Sequence, residues 1–129
     1  MSHSYYHAVS SAKKHGGRPE DYLHIHNWFD ECKAWVGDNR HRAYRHHSEG
    51  IFLCEQTFGT TIQIQKSDGI IKHVPVRVIG EQHVIEDCGF IPSAKEYFTD
   101  YKPLPRMRKV GTRLGSIQSI TEEKTDEIY

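Results

Sequence analysis

The histidines are the residues of this sequence most able to do chemistry. Ten of the 129 residues are histidine, and they fall in groups rather than evenly along the chain. Histidine changes protonation near neutral pH and is the commonest metal ligand among side chains. Three of the ten lie between residues 41 and 47 in a basic stretch, and His83 precedes the acidic pair Glu86 and Asp87. A metal site or an acid–base site is therefore the first hypothesis for the function.

Any metal site must be assembled from distant segments. The sequence contains neither an HExxH motif nor the paired cysteines of a structural zinc module. Projected on a helix, His47 lies in the apolar arc and His46 at its margin, whereas His83 and Asp87 share one face four residues apart. Mixed imidazole and carboxylate ligands suit zinc, manganese or iron. We predict a divalent metal, with zinc as the first candidate, and ligands drawn from His46, His47, His83, Asp87 and Glu55.

Each of these residues also has a structural interpretation. His47 is equally consistent with a buried histidine that orients a pair of helices through hydrogen bonds. His83 and Asp87 could form a surface pair or a helix cap. The spacing of His26 and Asp30 favours an ordinary exposed pair, worth only tenths of a kcal/mol.

Two helices are predicted in the first half of the chain. Pro19 precedes two acidic residues, as is common at helix starts. The apolar residues between 21 and 36 fall on one arc of a helix that Gly37 ends. Asp38 is suited to cap a second helix that continues to about Phe58. The short connection predicts an antiparallel helix pair.

The periodicity changes after Gly59. Apolar residues alternate over 60–66 and again over 74–78, and Asp68-Gly69 between them is typical of a hairpin turn. A short helix is predicted over 80–88, and another helical turn from 91 to about 98. The sequence therefore predicts an α+β fold, in which the helix pair packs on a β-hairpin and is followed by short helices and an extended C-terminal tail.

The predicted boundaries are an N-terminal arm at 1–18, a single α+β domain at 19–100 and a C-terminal tail at 101–129. The arm is polar and carries two consecutive glycines, which favour an irregular segment. The tail is basic from 106 to 113 and acidic from 122 to 127. Such opposed charge blocks predict a contact with a protein partner or with a second copy of the chain.

Composition excludes several function classes. The chain has 17 basic and 17 acidic residues, so no overall field draws it to nucleic acid. Nucleic-acid binding has weak support, from Arg40, Arg42 and Arg45 alone. No segment is typical of a membrane span or a secretory signal, so no membrane partner is expected. Three widely spaced cysteines do not indicate a disulfide framework, and we expect a cytoplasmic protein.

Three segments together carry a family resemblance: DYLHIHNWF at 21–29, RHRAYRHHSEGIF at 40–52 and GEQHVIEDCGFIPS at 80–93. With these segments the chain resembles a family of small, uncharacterised, His-rich proteins of bacteria and tailed phages, over roughly residues 3 to 100. The resemblance implies a shared polar site and no particular reaction. It strengthens the interpretation of His46, His47 and His83 as ligands.

The sequence is consistent with three functions. The first is a small protein whose metal ion has a structural or regulatory role. The second is a non-catalytic interaction or virion-associated protein in which the histidines form hydrogen bonds. The third is a metal-dependent hydrolase of phosphoesters or nucleotides, which would need an open coordination position for water and cations for phosphate. The sequence ranks them in that order.

Overall fold

Helices dominate the fold, which was obtained as a computed structural model describing residues 3–99. In chain order the helices and strands are α1 (Ser4–His15), α2 (Glu20–Asp30), α3 (Arg42–Arg45), α4 (Ser48–Phe58), β1 (Thr61–Gln65), β2 (Ile71–Pro75) and α5 (Val76–Cys88). Short 3-10 segments cover Glu31–Ala34, Asn39–His41 and Ala94–Phe98. The predicted α+β class and the β-hairpin are confirmed. The predicted tail at 101–129, with its partner contact, lies outside the described residues.

The hairpin forms around the predicted Asp68-Gly69 turn. Strands β1 and β2 are antiparallel, and Ile62 pairs with Val74. The inward-facing residues Ile64 and Val74 are buried, while most of their neighbours along the strands are exposed. In the turn, the Asp68 carboxylate accepts a hydrogen bond from the backbone N–H two residues later, and Gly69 adopts a φ of 85°. This positive φ is one that glycine adopts without strain.

The return strand ends earlier than predicted. We expected it to reach Val78 and a helix to begin at Gly80, but β2 ends at Pro75 and α5 begins at Val76. Pro75 has no N–H for a strand partner and suits a position just before a helix. Val76 and Ile79 are both fully buried, which places the first turn of α5 in the core.

The first 18 residues do not form the predicted irregular arm. Residues 4–15 are helix α1, which packs against α2 and α5. The His3 side chain caps the start of α1, and basic residues in the last turn complement the helix dipole. The spacing of apolar residues does not predict α1, because the buried face of this helix is mostly polar. That face consists of Ser4, His7, Ala8 and Ser11.

The second predicted helix is not continuous. Instead of one helix over 38–58, a 3-10 turn and α3 are followed by a break at His46 and His47. His47 is extended at the break, and its Nδ1 accepts a hydrogen bond from the Gly50 N–H, capping α4. At Gly50 a side-chain Cβ would overlap the Arg45 carbonyl oxygen, so glycine permits this close turn. The break turns His46 towards α2 and α5.

The apolar core lies between α2, α4, α5 and the hairpin. Its largest fully buried members on α2 are Tyr22, Ile25 and Phe29. The regular part of α2 stops at Asp30, and a 3-10 turn covers part of the stretch that was predicted to continue the helix to Val36. Within residues 3–99, none of the helices combines the length and the apolar character needed to cross a lipid bilayer.

Candidate metal centre

Five buried side chains from separate segments direct potential metal-ligand atoms at one another. Asp30 ends α2, His41 ends the 3-10 turn before α3, and His46 lies at the break before α4. His83 and Asp87 lie one turn apart on α5. The three histidines are completely buried, and the Asp30 and Asp87 side chains are 7% and 1% exposed. We call these five residues the donor cluster.

Distances within the donor cluster match those between ligands of one ion. His46 Nε2 lies 3.1 Å from His83 Nε2 and 3.0 Å from Asp87 Oδ2, and His83 Nε2 lies 3.3 Å from the same Asp87 oxygen. Asp30 Oδ1 is 3.4 Å from both of these histidine nitrogens. Four ligands at about 2.0–2.1 Å around a tetrahedral zinc are separated by about 3.3–3.4 Å.

His41 adds a fifth donor at the edge of this group. Its Nε2 lies 3.5 Å from Asp30 Oδ1. Neither of these two atoms has a hydrogen-bond partner among the described residues, although both are buried. Leaving a buried acceptor unpaired costs about 1–3 kcal/mol, and more for a charged group. An ion at the centre would give the Asp30 oxygen a partner.

The protonation of His41 follows from its other nitrogen. Nδ1 lies 2.8 Å from the Asp38 carbonyl oxygen, which only accepts hydrogen bonds, so Nδ1 carries a proton. In the neutral ring the lone pair is then on Nε2, which faces Asp30. Metal-binding histidines commonly donate their second N–H to a backbone carbonyl in this way.

A chain of hydrogen bonds places the proton of neutral His83 on Nδ1, as in His41. Gln82 Nε2 donates to the His7 carbonyl, so Gln82 Oε1 faces Ser11 and accepts its hydroxyl proton. The Ser11 oxygen must therefore accept from His26 Nε2. Neutral His26 then has its lone pair on Nδ1, which accepts from His83 Nδ1 at 2.9 Å. The proton of neutral His83 is thus on Nδ1, and Nε2 is free to bind an ion.

Burial supports the neutral state of His26 that this chain requires. Desolvation, followed by the proximity of His83 and His7, lowers the pKa of His26 to about 2. The ring is completely buried and stacks on His83. The chain from Gln82 to His83 therefore orients the imidazole and fixes its tautomer.

His7 orients the Asp87 carboxylate. Its Nε2 lies 3.1 Å from Asp87 Oδ1, and its Nδ1 lies 2.7 Å from Glu86 Oε1. Burial opposes protonation of His7, but the hydrogen bonds to Asp87 and Glu86 outweigh it, and the pKa of His7 is raised. With Oδ1 engaged by His7, Asp87 presents Oδ2 to His46 and His83.

The carboxylates of the donor cluster are held in the charged form. Burial works to raise the pKa of Asp30, but the imidazoles of His46 and His83 beside its carboxylate outweigh it, so the pKa is held well below its usual range. The same balance, with His7 added, depresses the pKa of Asp87. Burial also opposes protonation of His46, yet the neighbouring carboxylates of Asp30 and Asp87 raise its pKa. A metal cation would replace the protons in these contacts.

The structure brings together three of the five residues singled out in the sequence: His46, His83 and Asp87. His47 lies outside the donor cluster, because its Nδ1 caps α4 and its Nε2 donates to the carbonyls of the preceding turn. Glu55 is half-buried on α4 and does not belong to the donor cluster.

Sequence reasoning missed Asp30 and His41. The expectation that His26 and Asp30 form an exposed pair was wrong, since both are buried and they take part in different contacts. On a continuous helix over 38–58, His41 would lie opposite the apolar arc, but the break at His46 ends that helix. The one available signal for Asp30 was its position directly after the apolar residues of α2.

A family model with the description "Domain of unknown function (DUF6915)" matches residues 2–107. The chain belongs to this family. The DUF6915 match includes the whole donor cluster together with His7, Ser11 and His26. Searches of curated proteins and of solved structures gave no match.

Proposed function

We propose that the protein binds one divalent transition-metal ion, with zinc as the best fit, through His46, His83, Asp30 and Asp87. The observation that carries the proposal is that five of the six separations between four buried ligand atoms are 3.0–3.4 Å. His41 Nε2, whose proton is held on the opposite nitrogen, is a fifth donor within reach of Asp30.

The composition of the donor cluster favours zinc over calcium or magnesium. Calcium and magnesium bind oxygen ligands almost exclusively, whereas imidazole nitrogen suits zinc and the later first-row metals. None of the three described cysteines belongs to the donor cluster, so a thiolate-rich site is not involved.

The position of the donor cluster favours a structural role for the ion. Its ligands come from α2, from the break before α4 and from α5, and these segments also frame the apolar core. An ion there would link them directly, and its binding energy would add to the stability of the domain. At least four protein ligands surround the centre, as in closed structural sites.

Metal analysis of purified protein tests the proposal. Wild-type protein stripped with a chelator and reloaded with zinc should retain one equivalent after desalting, as measured by inductively coupled plasma mass spectrometry. Asp30→Asn and His83→Gln should lose the metal. His73→Gln, which alters an exposed histidine on β2, should keep it. Circular dichroism would establish that each variant is folded, and competition with a chromophoric chelator would give the wild-type affinity independently. Retention of zinc by folded Asp30→Asn would contradict the proposed ligand set.

Metal-dependent hydrolysis is the second candidate. One observation favours it: Asp87 lines a cavity of about 360 Å³ that also contains Arg42. A hydrolytic zinc needs an open position for water, which a centre filled by four or five side chains does not provide, so it ranks behind the structural role. Release of p-nitrophenol from p-nitrophenyl phosphate by zinc-loaded protein, lost in His83→Gln, would reverse this order.

A further inference from the structure

A cavity of about 360 Å³ adjoins the donor cluster on the side of Asp87. Its walls come from α3, the end of α5 and the segment that follows α5. The lining residues are Arg42, Asp87, Cys88, Phe90, Pro92, Glu96 and Tyr97. This volume is within the range of small-molecule sites, about 300–1,000 Å³. The lining combines flat apolar side chains with a few charged groups, which is typical of a site for a small organic ion.

Arg42 is the cationic group of this lining. The other arginines within residues 3–99 each lie within 4.0 Å of a carboxylate: Arg18, Arg40, Arg45 and Arg77. Arg42 has no such carboxylate among the described residues, and its Nε is buried without a hydrogen-bond partner. A guanidinium in a partly closed site is costly to leave unpaired, and its planar donors match phosphate oxygens.

We infer that this cavity binds a small phosphate monoester, its phosphate between Arg42 and the Asp87 side of the metal centre and its organic group against Phe90, Pro92 and Tyr97. The inference rests on the proposed metal function. Asp87 lines the cavity, and its negative charge would repel an anion in the metal-free protein. A bound divalent cation at Asp87 offsets that repulsion. Phosphate affinity therefore depends on the metal.

The organic group is needed for tight binding. Phe90 is 55% exposed, and burying part of such a ring against a ligand gains hydrophobic free energy. Phenyl phosphate should therefore bind more tightly than inorganic phosphate. Benzoate, which has the ring and a single planar carboxylate, is the probe for a less specific anion site.

Isothermal titration calorimetry with the full chain tests this inference, using phenyl phosphate, inorganic phosphate and benzoate as probes. Each probe is titrated into zinc-loaded and zinc-free wild-type protein, and into zinc-loaded Arg42→Gln. Arg77→Gln is the matched control, because Arg77 is exposed and does not line the cavity. The zinc content of every sample is measured separately.

Zinc-loaded wild type and Arg77→Gln should bind phenyl phosphate, and Arg42→Gln with full zinc content should bind it at least ten-fold more weakly. Zinc-free protein should also bind at least ten-fold more weakly. Equal binding by zinc-loaded Arg42→Gln, or no binding by zinc-loaded wild type, would overturn the inference and leave the metal centre intact. Benzoate binding as tight as phenyl phosphate would overturn the assignment to phosphate. Failure of the proposed metal function would appear instead as absent zinc, and the inference would fall with it.

Discussion

Zinc should stabilise the protein because it neutralises two buried carboxylates that lie close together, and mass action sets the magnitude of the effect. Asp30 and Asp87 place carboxylate oxygens within 4.8 Å of each other in a buried region. At an effective dielectric constant of about 20, two such charges repel by about 3.5 kcal/mol, and protonated imidazoles offset part of this in the metal-free protein. A bound zinc removes the repulsion. At a free zinc concentration of about 100 times Kd, the unfolding free energy rises by about 2.7 kcal/mol.

This gain corresponds to a rise in Tm of about 11–22 °C for a domain of about 100 residues, at about 4–8 °C per kcal/mol. Differential scanning calorimetry of chelator-treated protein, with and without added zinc, measures it. His73→Gln should respond like the wild type, while Asp30→Asn should shift by less than about 3 °C. A wild-type shift below about 3 °C, with one zinc demonstrably bound, would refute the argument that the ion holds the domain together.

Three further predictions concern the protein around the donor cluster. Because burial lowers the pKa of His26, its ring should stay neutral from pH 8 to pH 4.5, with the proton on Nε2. Nitrogen-15 NMR measures this. The contribution of neutral His26 to the unfolding free energy is present above about pH 6.5 and is lost as the pH falls below that value. A titration midpoint near 6.5 would contradict this. Gly50→Ala should lower the unfolding free energy by about 3 kcal/mol, because the added Cβ overlaps a backbone carbonyl. Gly37→Ala, where nothing lies within 4 Å, should lower it by less than about 1 kcal/mol. Urea denaturation measures both, and equal losses would disprove the close turn. Burial raises the pKa of Cys54 to about 12, so iodoacetamide should modify the half-buried Cys88 well before Cys54 in the native protein. Peptide mass spectrometry follows both reactions. Equal rates would show that Cys54 is accessible.

The elements with a clear hydrophobic period were predictable from the sequence. Alternation and the Asp68-Gly69 turn gave the hairpin, and the apolar arc of residues 21–36 gave most of α2. Helix α1 gave no such signal, because it packs through serine and histidine side chains rather than aliphatic ones. Its polar face is needed to complete the hydrogen-bond chain to His83, so the feature that hid α1 also supports the site.

The donor cluster was only partly predictable. His83 and Asp87 share a face of α5 one turn apart, a relation that helical periodicity reveals. The choice between His46 and His47 depends on the break before α4, where a histidine cap and Gly50 override the continuous helix that the apolar pattern suggests. Asp30 joins the cluster only through the tertiary packing of α2 against α5, which no local pattern encodes.

The location of the ion tests the central claim most directly. A crystal of zinc-loaded protein, measured on both sides of the zinc absorption edge, gives anomalous difference maps that identify zinc and locate it. The account predicts one peak at about 2.0–2.2 Å from His46 Nε2, His83 Nε2, Asp30 Oδ1 and Asp87 Oδ2. An empty donor cluster, or a peak ligated by other residues, would contradict it and leave a buried network of hydrogen-bonded histidines and aspartates in its place.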